Sequence, residues 1–115
     1  TGMEGELAAT EYLRSHGYLI AERNWRNRRH EIDIVALKDG QYHFVEVKTR
    51  KADSLTSPAE AITSRKIRFL ADAANNYIAL HGIDSEAWID LAAVEVADDG
   101  TMNVELIPDV SNLHW

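Results

Sequence analysis

The chain has 115 residues, 45% of them hydrophobic and 27% charged, a composition suited to one α/β domain over residues 1–115 around a single core. It carries no cysteine, which excludes disulfides, thiolate zinc sites and cysteine catalysis; no apolar run approaches the ~20 residues that span a bilayer, so no membrane partner is expected and the chain reads as cytoplasmic. A formal charge of −7 would by itself argue against nucleic acid.

The distribution of charge reverses that last exclusion. Eleven of the twelve Lys and Arg residues fall between Arg23 and Arg68, whereas the stretch from Phe69 to Trp115 has none and carries nine acids. One basic region on an acidic body is the expectation, with ordinary solvated charge as the plainer alternative.

In chain order, Met3, Leu7, Tyr12 and Leu13 give residues 4–15 helical character, and Gly17 stands as a C-terminal stop. Glu6 shares a stripe with Ala9 and Leu13 and can face a sheet, although an acid near a helix start is also favoured by the macrodipole alone. Residues 18–25, "YLIAERNW", read as a first strand. Arg23, Arg26, Arg28 and Arg29, interleaved with Asn24 and Trp25, suit phosphate contacts with base stacking, though Trp25 fits core packing better.

"HEIDIVALKDGQYHFVEVKTR", residues 30–50, reads as a hairpin, since Asp39-Gly40 supplies the two positive-φ positions of a type I′ turn. A two-residue loop places Asp33 opposite Glu46 and Glu31 opposite Lys48, all four on one face; a three-residue loop would spoil that register. Facing Cβ atoms lie ~4.5–5.5 Å apart, so two ionised carboxylates there repel by roughly 3 kcal/mol at an effective dielectric near 20. Either one carboxyl stays protonated or a divalent cation neutralises both; oxygen ligands favour Mg²⁺ or Mn²⁺. Lys48 could then orient a water and offset charge developing at phosphorus. An exposed sheet face with a Glu31–Lys48 pair is the bland alternative. Tyr42 and Phe44 share the face of Glu46, His43 should point to the other, and Arg50 continues the Glu46-Lys48 face toward a phosphate contact.

"SPAE" at residues 57–60 is a capping box with Pro58 at the first helical position, opening a long helix that Gly82 closes. Its stripe is Ile62, Lys66, Phe69, Leu70, Ala73, Tyr77 and Ile78, so Lys66 could reach a carboxylate or phosphate, or merely snorkel over apolar surface. Ala87–Val96 and Met102–Ile107 are the last two strands, around Asp99-Gly100. Asp90, in an apolar strand, is expected to make a structural hydrogen bond or ion pair.

Glu46-Val47-Lys48, with Asp33 on the preceding strand, resembles the (D/E)xK element of the PD-(D/E)XK nucleases. The ordered set Gly5-Glu6, Ala9, Tyr12-Leu13, Gly17-Tyr18, Arg23-Asn24 with Arg26, "EIDIVA", "FVEVKTR", Pro58, Ala61, Lys66 and Tyr77 resembles the YraN family of bacterial proteins, which are similar to archaeal Holliday junction resolvases; the likeness covers residues 2–96. It implies a restriction-endonuclease-like core, a mixed five-stranded sheet with flanking helices in the order α-β-β-β-α-β-β. It also implies a divalent metal and a nucleic-acid substrate, with structured or branched DNA expected and a homodimer admitted by analogy. Asp33, Glu46 and the Val47 carbonyl would hold Mg²⁺ or Mn²⁺, Lys48 would be the catalytic lysine, and Glu6 an additional acid, with Lys66 in support. His30 replaces the family's usual glycine, and Trp88 its usual arginine. A noncatalytic nucleic-acid-binding module and, more weakly, a protein-interaction domain are the competing expectations.

Overall fold

The computed structural model describes residues 2–52 and 62–112. Among them the elements are α1 (Gly2–Ser15), β1 (Leu19–Asn27), β2 (His30–Lys38), β3 (Gln41–Lys51), α2 (Ser64–His81), β4 (Ala87–Val96) and β5 (Met102–Ile107), followed by a 3-10 turn at Val110–Asn112. This is the expected α-β-β-β-α-β-β layout, on a five-stranded mixed sheet of order β1-β2-β3-β4-β5. β3 and β4 are parallel and the other neighbours antiparallel. A parallel step needs a crossover, and α2 supplies it.

The two helices cover opposite faces of the sheet. Ala9 and Leu13 of α1 pack with Ile34, Ala36, Val45, Ala92 and Val94, while Ala73, Ala74 and Tyr77 of α2 pack with Ile32, Val35 and Phe44. Leu70 extends the α2 side over Leu91 and Val110. Because both faces are covered, β4 is buried without interruption from Asp90 to Val94. No helix among the described residues is long and apolar enough to cross a membrane.

Each helix buries only part of the stripe that its large apolar residues suggested. α1 turns Gly5, Glu6, Ala9, Thr10 and Leu13 inward and leaves Met3 and Leu7 exposed. Small residues let the helix lie close to β3: a Cβ on Gly5 would run into the Thr49 side chain, with Thr49 Cβ only 3.3 Å away. Gly5→Ala should therefore destabilise by roughly 1–3 kcal/mol through overpacking, read as a lower urea midpoint, although the same change on an open helix stabilises.

The long helix starts later than the sequence suggested. The 57–60 box, with Pro58 and Ala61, lies outside the described residues, and α2 is capped by Thr63, whose extended backbone (φ −92°, ψ 160°) turns its hydroxyl to accept the Lys66 N–H at 3.1 Å. Thr63→Ala should cost about 1 kcal/mol by thermal melting. The buried stripe is Ile67, Leu70, Ala73, Ala74 and Tyr77, so Lys66 and Phe69 lie at its edge.

Candidate functional site

β2 and β3 pair in the expected register, from Lys38↔Gln41 at the turn to Ile34↔Val45, and Asp39 and Gly40 both take positive φ. The ladder then stops. Asp33 Oδ2 accepts the Val47 N–H at 2.9 Å, so a side chain stands in for the backbone acceptor and the two strands fork.

On its other edge β2 stays paired with β1, through Arg23↔Ile34, Trp25↔Ile32 and Arg26↔Glu31. Asn24 falls between the first two pairs, opposite Asp33, and holds a left-handed backbone with φ 53°. Asparagine tolerates that conformation better than most side chains. The alternation of β2 breaks at the same level: Ile34 packs on the α1 side, but Ile32, two residues earlier, packs on the α2 side.

This paired irregularity builds one wall of a cavity. Arg23 and Asn24 are consecutive and would point to opposite faces of a regular strand, yet both reach Glu6 on α1. Asn24 Nδ2 donates to Glu6 Oε1 at 2.8 Å, and Arg23 Nη2 lies 3.3 Å from the same oxygen. Glu6, Asn24, Asp33, Val47 and Lys48 line a cavity of about 780 Å³ between the start of α1 and β3. Lys48 is exposed at its edge.

Glu46 lies on the α2 side of the fork, 8% exposed, with Lys66 Nζ 3.5 Å from Oε2. Burial, and then the neighbouring Asp33 charge, push the Glu46 carboxyl up to about 7; the hydrogen bond between the two carboxyls adds to the rise, while Lys66 and Lys48 oppose it. Without a cation, the pair thus meets its repulsion by holding a proton, the first of the two resolutions open to it.

The remaining residues singled out in the sequence divide. Asp33, Glu46, Lys48, Glu6 and Lys66 gather around the fork, with Val47 at its centre. Glu31 does not face Lys48, because the ladder ends before it; it is exposed and pairs with Arg26 at 3.3 Å. Arg28 and Arg29 are exposed at the β1–β2 turn. Arg50 is turned inward, its side chain 16% exposed and 3.5 Å from Glu95. Asp90 is structural, as expected: His43 Nδ1 lies 2.7 Å from Oδ2, and the Asp109 N–H donates to Oδ1 at 2.9 Å. Trp88, at the family's arginine position, donates to Gln41 Oε1 at 3.1 Å. The amide of Asn24 is the contributor that composition alone did not single out. Its signal was an asparagine inside a strand, opposite an acid of the next strand.

Asp33, Glu46 and the intervening backbone form a hard-oxygen donor set, and the strain on Glu46 is what a divalent cation would relieve. Among the described residues no three His, Asp or Glu side chains close around one point, and Glu6 is already held by Asn24 and Arg23. Such a site suits an ion that keeps several waters, as Mg²⁺ does.

Comparison with known proteins gives a match between residues 5–96 and the model of the uncharacterised protein family UPF0102. A UPF0102 protein of Bacteroides fragilis is 42% identical over 94% of this chain and 88% of its own length, and one of Bacteroides thetaiotaomicron is 40% identical over the same shares. A relative from Chlorobium phaeobacteroides is 43% identical over 83% of this chain and 76% of its own.

Proposed function

The chain belongs to the uncharacterised protein family UPF0102, the YraN family, and from that premise we propose that it is a divalent-metal-dependent phosphodiesterase acting on DNA, with branched or otherwise structured DNA as the substrate class. The observation that carries this reading is the Asp33–Glu46 pair at the strand fork, where burial and mutual charge leave Glu46 protonated to about 7. A sheet built only for stability gains nothing from two acids in that position.

Asp33, Glu46 and the Val47 carbonyl would hold Mg²⁺ or Mn²⁺. The ion would supply charge stabilisation to the phosphate. Asp33 also fixes the geometry of the fork, since its Oδ2 holds the Val47 N–H. Lys48 is exposed at the cavity edge, placed to donate to a phosphate oxygen or position the attacking water. Lys66 offsets the charge of Glu46 from the α2 side. Glu6, fixed by Arg23 and Asn24, sets the opposite wall. Arg26, Arg28 and Arg29 offer exposed positive charge to a DNA backbone.

A noncatalytic nucleic-acid-binding module is the second reading, favoured by the lack of a third carboxylate around the pair among the described residues. Cleavage of labelled four-way junction, flap, single-stranded and duplex DNA with Mg²⁺ and Mn²⁺, wild type beside Glu46→Ala, separates the two. Metal-dependent product from wild type alone is the expected result. Salt-sensitive binding without product under either metal would establish the second reading instead.

A further inference from the structure

We propose that the exposed face of the first two turns of α2, formed by Arg65, Arg68 and Phe69 around Lys66, is a platform for single-stranded DNA that stacks an unpaired base beside the Glu46 end of the site. This rests on the phosphodiesterase reading for its place in catalysis, but not for its binding chemistry.

Three observations carry it. Phe69 is 40% exposed, although Ile67, Leu70 and Ala73 of the same helix already fill its contact with the core. Second, the cations run against the helix. α2 has no acid in its first turn and carries Arg65, Lys66 and Arg68 there and just beyond, the reverse of what the macrodipole favours. Lys66 has Glu46 as counter-charge, but no carboxylate among the described residues pairs with Arg65 or Arg68. Third, these groups converge: residues 65, 68 and 69 share a helix face, and Thr63, Arg65, Lys66 and Phe69 line a shallow cavity of about 290 Å³.

Lys66 ties this patch to the site. Its Nζ lies 3.5 Å from Glu46 Oε2 and 5.7 Å from the centre of the Phe69 ring, so a base on that ring would belong to a nucleotide flanking the phosphate at the fork. An exposed aromatic ring beside a group of cations matches a nucleobase on a phosphate chain. Phenylalanine has no hydrogen-bonding group, so it would hold any base through its π-face. A duplex offers only base edges in its grooves, which makes the ring selective for unpaired strands.

The test is fluorescence anisotropy in EDTA, so that neither metal nor turnover enters, using labelled oligo(dT) and a blunt duplex of equal length. Phe69→Ala should weaken oligo(dT) binding about tenfold or more and leave the duplex unchanged; Phe69→Trp should keep full affinity, and Phe69→Leu, which keeps the apolar bulk, should not. Arg65→Ala with Arg68→Ala should lower the salt dependence of oligo(dT) binding. Equal loss on both DNAs, no loss on either, or no oligo(dT) binding by wild type at low salt would overturn the platform. A protein that binds in the expected way yet cleaves nothing would retire the phosphodiesterase reading alone. One that cleaves while Phe69→Ala binds oligo(dT) normally would retire the platform alone.

Discussion

Asp33→Asn and Lys48→Ala are each expected to reduce metal-dependent DNA cleavage by roughly 10²–10³-fold or more while leaving DNA affinity in EDTA close to wild type. The asparagine change is chosen on structural grounds. Asp33 has two duties: its charge, shared with Glu46, and its bond to the Val47 N–H, which holds the fork. An amide oxygen can still accept that N–H, so the substitution removes the first duty and spares the second. Lys48 is exposed, and when it is truncated Lys66 still offsets the buried Glu46. Loss of activity in both variants with intact melting curves would therefore report on chemistry. Undiminished cleavage in Lys48→Ala and Glu46→Ala would end the nuclease assignment, because it would place the chemistry away from the fork. Arg28→Ala with Arg29→Ala is the contrasting pair: both residues are exposed on the β1–β2 turn, so their removal should weaken binding across DNA forms and flatten its salt dependence.

The hairpin shows how far local sequence carries and where it stops. Asp39-Gly40 fixes the turn, the turn fixes the register as far as Ile34↔Val45, and the next residues, Asp33 and Glu46, meet just past its last pair. The same extrapolation carried two residues further, to Glu31 and Lys48, fails. Asp33 intercepts a backbone N–H and ends the ladder, and no pattern of apolar and polar residues encodes an event that depends on one side chain leaving its place. The helices fail for another reason. Leu7 and Phe69 look like core residues by size, but the space beneath each helix is set by how closely it approaches the sheet. Gly5 and the buried alanines allow an approach that leaves the larger groups outside. The neighbourhood of Glu6 depended on both effects, an inward small-residue face on α1 and an irregular Asn24 on β1, so its two partners were the least legible part of the site.

Metal-free wild type is expected to lose stability as pH rises from about 4.5 to about 7, and Glu46→Gln to remove that loss. The sign follows from proton binding. Glu46 is raised from an ordinary 4.5 to about 7 in the folded chain, so across that interval the folded state holds a proton that the unfolded state has released, and each increment of pH favours unfolding. The penalty is complete above pH 7, where it amounts to about 3 kcal/mol at most. The useful quantity is the difference between wild type and Glu46→Gln, in which the contributions of all other groups cancel. In EDTA that difference should vanish near pH 4 and favour the variant by several degrees in melting temperature at pH 8. Lys66→Met should extend the loss to higher pH, because Lys66 is the stronger of the two cations that pull Glu46 down. Mg²⁺ or Mn²⁺ at pH 8 should then restore wild type and do little for Glu46→Gln, since a bound cation relieves the repulsion that the amide has already removed. A wild type less stable at pH 5 than at pH 8 relative to Glu46→Gln would mean that the two carboxyls do not oppose one another. A restored melting temperature that does not depend on Glu46 would place the ion elsewhere. Between them the two measurements separate an acid pair strained in readiness for a cation from one that is merely tolerated.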